Sequence, residues 1–360
     1  MRTNHDIKLG VSLYSYQDNY YFHKHDLEGC MAAAAGAGAE GIEVFSDAMM
    51  PEWPYVSDAF IDKWNGWLYR YDLEPVCLDH FSDRAMWHNK QLTDDEMFER
   101  GVLYIKTAAR LGCKCIRVLH NEHVGTGVSP YRLTDYSIIE RLLPVAEEYQ
   151  VVLSLECHNP TNVCAPCQQK YLDLVDRTGT KYLGLQVDFS SYEYCASLAD
   201  IGNEVRNEGA HEEVLLCLRE LQKECYKQKR GWKLEEHMDE ILKLNPTKED
   251  LASVKRLGSF QGPYGEDKTF SYEALKNIAS KLVYVHGKFY NIDEDGEVDN
   301  MDYHTIFNCL IEGGYKGYIS SEFEGSRRMN DAGWCNEIEY VRKQHELMRK
   351  CLPYTDWNLQ

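Results

Sequence analysis

Short runs of Val, Ile, Leu, Tyr and Cys recur along the chain, separated by longer stretches in which apolar residues return every three or four positions. The short runs have the length and composition of buried strands. Eight stand out in order: Leu9–Ser15, Gly41–Phe45, Leu73–Asp79, Cys115–Leu119, Val151–Cys157, Tyr182–Asp188, Leu282–Lys288 and Gly317–Glu322. Helical patterns fall between most of them, at Leu27–Ala39, Asp58–Tyr71, Thr93–Leu111, Thr134–Tyr149, Pro166–Arg177, Ser271–Ser280 and Tyr303–Gly313. A last helix is expected over about Gly333–Lys350. Thr93 fits an N-cap before an acidic first turn, and Gly112 fits the residue that closes the same helix. Alternating strands and helices imply parallel strands. Eight such units predict an α/β fold closed as a (β/α)8 barrel. An open doubly wound sheet is the competitor, but LGVSLYSYQ stands where its glycine-rich first turn would be.

The alternation breaks once. The stretch between Asp188 and Leu282 far exceeds the roughly thirty residues of one barrel repeat. The excess, residues 193–267, is charged, with helical patterns at Glu212–Lys229 and Leu234–Leu244. Pro246 ends the second, and Thr247 caps an expected third helix. The predicted organisation is one barrel domain over 1–360, interrupted by this mainly helical insertion after the sixth strand. Residues 326–360 form a closing helix and tail. An insertion rooted at a strand's C-terminal end lies beside the mouth of a barrel, as a lid, a substrate wall or a docking face.

Charge narrows the partners. A net charge of −19 lacks the basic footprint of a nucleic-acid binder. No run reaches about 18 apolar residues, so no membrane span is expected, and the first residues lack a signal-peptide pattern. A cytoplasmic location follows as the expectation. The 13 cysteines lie mostly in apolar runs, where cysteine packs as a small hydrophobe. Cys113-x-Cys115 and Cys164-x-x-Cys167 lack a second pair for a Cys₄ zinc site.

Candidate chemistry sits at the strand ends. Glu156 closes VVLSLE, Asp188 closes YLGLQVD, His286 lies in LVYVH and Glu322 closes GYISSE. All C-terminal strand ends of a barrel open onto one mouth, so these four can converge. Three carboxylates and an imidazole form a hard, oxygen-rich set suited to one divalent cation, Mn²⁺ first, with Mg²⁺ or Co²⁺ as alternatives. His158 lies two positions beyond Glu156 and therefore on the same side of an extended strand. It is the first choice as general base, with Glu156 and Glu322 next. A histidine that orients Glu156 or the substrate is the plainer alternative. Asp79, His80, Arg117, His120, Ser191, Lys288 and Glu324 are candidates for contact with substrate. Tyr14, Tyr16, Trp53 and Trp87 lie near loops that lead from the mouth, although core packing explains each equally well.

The ordered set of LECHNP, QVDFSS, VHGK and SSEFEG resembles the xylose-isomerase-like TIM barrels, a group of sugar isomerases, epimerases, dehydratases and endonucleases. The resemblance spans roughly residues 7–325. It implies that Glu156, Asp188, His286 and Glu322 hold the metal. Many ketose epimerases of the group carry a substrate-binding histidine where this chain has Ser191. The chain length, the late insertion and the Glu-x-His motif are similar to the catalytic α subunit of bacterial C-deglycosylation enzymes. That likeness implies metal-dependent cleavage of the bond between the sugar and a flavonoid-type aglycone in a 3-keto C-glucoside. It also implies a small β subunit in a hetero-oligomer. A metal-dependent ketose 3-epimerase or sugar isomerase is the alternative within the same chemistry. A barrel that has lost catalysis and only binds is the rival from another class.

Overall fold

The protein is described from a computed structural model, over residues 6–80, 84, 89–118, 136–157, 163, 166–259, 262–264 and 272–353. Eight strands form one closed barrel in sequence order: β1 (Ile7–Ser12), β2 (Gly41–Phe45), β3 (Glu74–Asp79), β4 (Cys115–Val118), β5 (Val152–Cys157), β6 (Leu183–Asp188), β7 (Leu282–Phe289) and β8 (Gly317–Phe323). Every neighbouring pair is parallel, and β8 closes on β1 with Gly10 opposite Ser320. Outward positions such as Leu153, Leu155, Val187, Val285 and Ile319 are buried under the surrounding helices. Strands covered on both faces must read as nearly continuous apolar runs, which is how they appear in the sequence.

The helices follow the sequence signals closely. Asp58–Tyr71 starts behind Ser57, whose side chain accepts from the Phe60 N–H. Asp94–Leu111 starts behind a complete capping box of Thr93 and Glu96. It ends at Gly112, which takes φ 81, a left-handed conformation that glycine adopts without a Cβ penalty. The expected first strand is shifted: the chain leaves the sheet after Ser12 and makes a short 3₁₀ turn, Leu13–Tyr16. The last helix begins at Glu337 rather than near Gly333. Gly333 has φ 134, which no helix accommodates, and Asn336 supplies the cap instead.

Between β6 and β7 lie the helices Leu198–Glu208, Glu212–Lys227, Met238–Leu242 and Lys248–Leu257. Leu215, Leu218, Trp232, Ile241 and Val254 form an apolar cluster of their own there. The expected helix over Leu234–Leu244 is broken at His237, whose ring stacks on Trp232 at 4.7 Å. Polar ties join this unit to the barrel. Arg219 donates to the Asp299 carbonyl at 2.6 Å, Arg328 to Asp200 at 2.5 Å and Tyr226 to Asp302 at 2.8 Å. No helix among the described residues is long and apolar enough to cross a membrane.

Candidate metal centre

The two-residue period of a strand turns alternate side chains into the barrel. Ser154 and Glu156 on β5, Gln186 and Asp188 on β6, and Tyr284, His286 and Lys288 on β7 share this inner side with Ser320 and Glu322 on β8. Register then sets their height. Asp188 lies opposite His286, and Lys288 lies opposite Glu322. One ligand atom from each of Glu156, Asp188, His286 and Glu322 falls within 4.8 Å of all the others, and all four residues are buried.

His286 is the hub. Its Nδ1 lies 2.8 Å from Glu156 Oε1, 2.9 Å from Glu322 Oε2 and 3.9 Å from Asp188 Oδ2. Its Nε2 lies 2.9 Å from Glu43 Oε2 on the opposite side of the ring. Burial opposes charge on the imidazole, but Glu322, Glu43 and Glu156 outweigh it and raise its pKa well above the ordinary range. With the ring charged, a proton fills the place where several carboxylate oxygens converge. A divalent cation would displace that proton, since metal ligands bind deprotonated. Asp188 is aimed by its own turn, because Oδ1 accepts the Ser190 N–H at 2.7 Å.

Two cations brace the rim. Arg117 Nε donates to Glu156 Oε2 at 2.8 Å and its Nη1 to Asp79 Oδ1 at 2.6 Å. Burial still pushes the Asp79 carboxyl up to about 7, against the pull of Arg117. Lys288 Nζ lies 3.0 Å from Glu322, 3.3 Å from Glu324 and 3.5 Å from Asp188. Burial works against its charge, but these three carboxylates hold its pKa well above the usual lysine value. Burial would also raise the Glu322 pKa, yet His286 and Lys288 carry it below the usual carboxylate range. Tyr14 donates its hydroxyl to Glu324 at 2.6 Å.

The donor set therefore fits a hard divalent cation. Six carboxylates, from Glu43, Asp79, Glu156, Asp188, Glu322 and Glu324, face three permanent cations in the ion pairs found here: Arg117, Lys288 and, 3.6 Å from Glu324 at the outer edge, Arg327. Buried charge of one sign is costly without compensation. A divalent cation held by Glu156, Asp188, His286 and Glu322 would supply it at the point where the carboxylates are densest.

The candidates read from the sequence divide clearly. Asp79, Arg117, Lys288 and Glu324 surround the four-residue cluster. His80 turns the other way, as a strand's alternation requires, and its ring packs edge-on against Tyr104 at 4.8 Å. Ser191 is buried, with its hydroxyl 3.5 Å from the Cys157 carbonyl, between the ends of β5 and β6. His158 and His120 lie outside the described residues, as does Trp87. Sequence reasoning missed Glu43 and Gln186. Gln186 Nε2 lies 3.0 Å from His286 Nε2, and Ser154 donates to Gln186 Oε1 at 3.0 Å. The signal was present: a glutamate in the apolar run GIEVF is expensive to bury and demands a partner.

Comparison with known proteins agrees with this fold. Residues 31–204 match the model of the xylose isomerase-like TIM barrel family. A C-glycoside deglycosidase alpha subunit from Arthrobacter globiformis is 28% identical over 348 residues, which is 96% of this chain and 92% of that protein. A 3'-dehydrocarminate deglycosidase alpha subunit from a Microbacterium species is 27% identical, covering 95% of this chain and 94% of the relative. Among solved structures, the IOLI protein with a bound zinc atom superposes with a TM-score of 0.53 at 13% identity, over 96% of this chain and all of that one. An L-ribulose 3-epimerase superposes with a TM-score of 0.51 at 16% identity, over 96% of this chain and 94% of that one. Both structural likenesses speak for the fold. The closed eight-stranded parallel barrel has the xylose isomerase-like TIM-barrel fold, and residues 31–204 match the model of that family.

Proposed function

We propose that this chain is the catalytic subunit of a divalent-metal-dependent lyase that cleaves the C-glycosidic bond of 3-keto C-glucosides. The observation that carries the reading is the convergence of Glu156, Asp188, His286 and Glu322 within 4.8 Å at the barrel mouth. The deglycosidase alpha subunits that match nearly the whole chain support the substrate class and, by their name, a partner subunit, which this reading takes to be a small β subunit. Mn²⁺ is the preferred ion, because an oxygen-rich set with one imidazole suits it.

A ketone makes the neighbouring C–H acidic, so a base can remove the C2 proton. His158 is the proposed base, two positions beyond Glu156, because imidazole is the side chain suited to taking and returning protons near neutral pH. The bound cation would supply Lewis-acid polarisation of the ketone oxygen. Arg117 keeps Asp79 and Glu156 in fixed positions, and Lys288 with Glu324 offers a donor and an acceptor to sugar hydroxyls. Collapse of the carbanion expels the aryl group from C1 and leaves a C1–C2 double bond. The insertion, residues 193–267, forms one wall of the mouth in this reading.

The test is direct. Protein loaded with Mn²⁺ and combined with its partner subunit is given a flavonoid 3-keto C-glucoside, and aglycone release is followed by chromatography. Parallel reactions contain fructose, tagatose and psicose. Aglycone release supports the lyase. Rapid epimerisation of a free ketose without release replaces it with the epimerase reading.

A further inference from the structure

Two carboxylates of the four-residue cluster are already engaged by a cation of the protein itself. Lys288 Nζ lies 3.0 Å from Glu322 Oε2, the same oxygen that lies 2.9 Å from His286 Nδ1. It lies 3.5 Å from Asp188 Oδ2, which is 3.9 Å from that nitrogen. Lys288 stands opposite Glu322 in the register of β7 and β8, and its side chain is only 2% exposed. An ammonium group and a divalent cation on the same oxygens repel, and burial leaves little water to screen them. For Glu322 and Asp188 to serve as metal ligands, Lys288 has to give up both. A buried ammonium group then needs another carboxylate.

Glu324 is in place to supply it. Its Oε2 lies 3.3 Å from Lys288 Nζ. Its Oε1 is held from the other side, where the Tyr14 hydroxyl donates to it at 2.6 Å and Arg327 Nη1 lies 3.6 Å away. Arg327 is steadied in turn by donating to Gln17 Oε1 at 3.2 Å. Tyr14 is buried and packs edge-on against Phe45 at 5.1 Å. Its ring centroid lies 5.7 Å from Lys288 Nζ, close enough to attract the ammonium group toward Glu324. The backbone is fixed as well. The Glu324 N–H donates to the Phe289 carbonyl at 3.0 Å, at the end of the ladder between β7 and β8. Gly325 then lets the chain turn tightly against the segment after β7, since a Cβ there would lie 1.9 Å from the Tyr290 carbonyl oxygen.

We propose that Glu324, held by Tyr14 and Arg327, is a positioning residue that takes up Lys288 and so frees Glu322 and Asp188 to bind a divalent cation; this inference rests on the metal-dependent reading above. Lys288 is shared among three carboxylates. Once Glu322 and Asp188 turn to a cation, Glu324 is the one of the three left to it. The exchange is short, because Glu322 and Glu324 follow each other on one side of an extended chain. Neither Lys288 nor Glu324 gains or loses a proton in this change of partners.

A double-mutant cycle on metal affinity tests the assignment without turnover. Mn²⁺ is titrated against a fluorescent chelator for wild type, Glu324→Gln, Lys288→Met and the double variant. Glu324→Gln should weaken binding by about 10–100-fold, the scale for a residue that supports metal ligands. Lys288→Met should bind at least as tightly as wild type. In the Lys288→Met background the loss from Glu324→Gln should shrink to less than about threefold, because no lysine remains to be taken up. Equal losses in the two backgrounds would show that Glu324 acts through its charge alone and would overturn the assignment. Wild-type affinity in Glu324→Gln overturns it as well. If Lys288→Met does not fold, a crystal structure of wild type with Mn²⁺ decides. Nζ closer to Glu324 than to Glu322 supports the assignment, and Nζ still on Glu322 overturns it. Wild type that binds no Mn²⁺ overturns the metal-dependent reading and this inference together.

Discussion

Glu43→Gln is the most informative perturbation of the metal centre, because it removes one charge and almost no volume. Glu43 and His286 are both fully buried, and the carboxylate lies 2.9 Å from Nε2. If Nδ1 is the metal-binding nitrogen, Nε2 carries the proton and donates it to Glu43. The carboxylate then fixes the tautomer, holds the ring plane and makes Nδ1 a stronger donor. Glutamine can still accept that hydrogen bond, but without charge. A charge-assisted bond is worth about twice a neutral one, so the loss is about 1–1.5 kcal/mol from the hydrogen bond itself. The weaker basicity of the imidazole adds to it. Removing such a supporting partner costs about 10–100-fold in metal affinity, or about 1.4–2.7 kcal/mol. Competition titration of Mn²⁺ against a fluorescent chelator reads the dissociation constant directly. Stoichiometry should stay at one ion per chain while affinity falls within that range. An unchanged dissociation constant would refute the reasoning and leave Glu43 as a packing residue of the barrel interior.

Three further outcomes are expected. His345 is buried beside the Gly10 carbonyl, and burial followed by Arg349 pushes its pKa down to about 3. The unfolded chain binds a proton near pH 6.5 that the folded chain refuses, so stability is lost as pH falls below about 6.5, at about 1.4 kcal/mol per unit until about pH 3. Urea unfolding at pH 7.5 and 5.0 should show a smaller difference between the two pH values for His345→Gln than for wild type; an equal difference contradicts the assignment. Arg117→Ala leaves Asp79 and Glu156 buried without their cation and should destabilise the fold by about 3–5 kcal/mol in chemical denaturation. A loss below about 1 kcal/mol, the value of a surface pair, would show that the bridge is solvated. Leu218→Ala in the separate apolar cluster should cost about 2–5 kcal/mol locally. Limited proteolysis should then cut within residues 193–267 while metal stoichiometry persists, and cuts spread through the barrel strands would show that the two cores melt together.

The barrel was legible because both faces of its strands are covered. GIEVF, LSLEC and LGLQVD therefore carry almost no polar interruption, and the polar residues that do interrupt them mark the interior. The strand-end positions of Glu156, Asp188, His286 and Glu322 were readable for the same reason. What the sequence hid was register across strands. That His286 faces Glu43 from a strand 243 positions away depends on how eight strands stagger around the closure, which no local pattern encodes. That the His80 ring packs against Tyr104 follows from where β3 ends, a matter of one residue that the sequence does not mark. The helix Leu198–Glu208 was missed although Ser197, whose side chain accepts from the Asp200 N–H, and Gly209 mark its two ends. Its apolar face is thin, and end signals alone did not outweigh the charged stretch around it.

Release of aglycone through loss of the C2 proton is the central claim, and an isotope-labelled substrate tests it most directly. A flavonoid 3-keto C-glucoside carrying deuterium at C2 is compared with its unlabelled twin and with the unoxidised glucoside, using metal-loaded enzyme and partner subunit. Slower aglycone release from the deuterated ketone, loss of its deuterium to water, and no release from the unoxidised glucoside are the predicted results. Equal release from the glucoside without its ketone, or aglycone that appears while the C2 deuterium stays in the sugar product, would contradict the account.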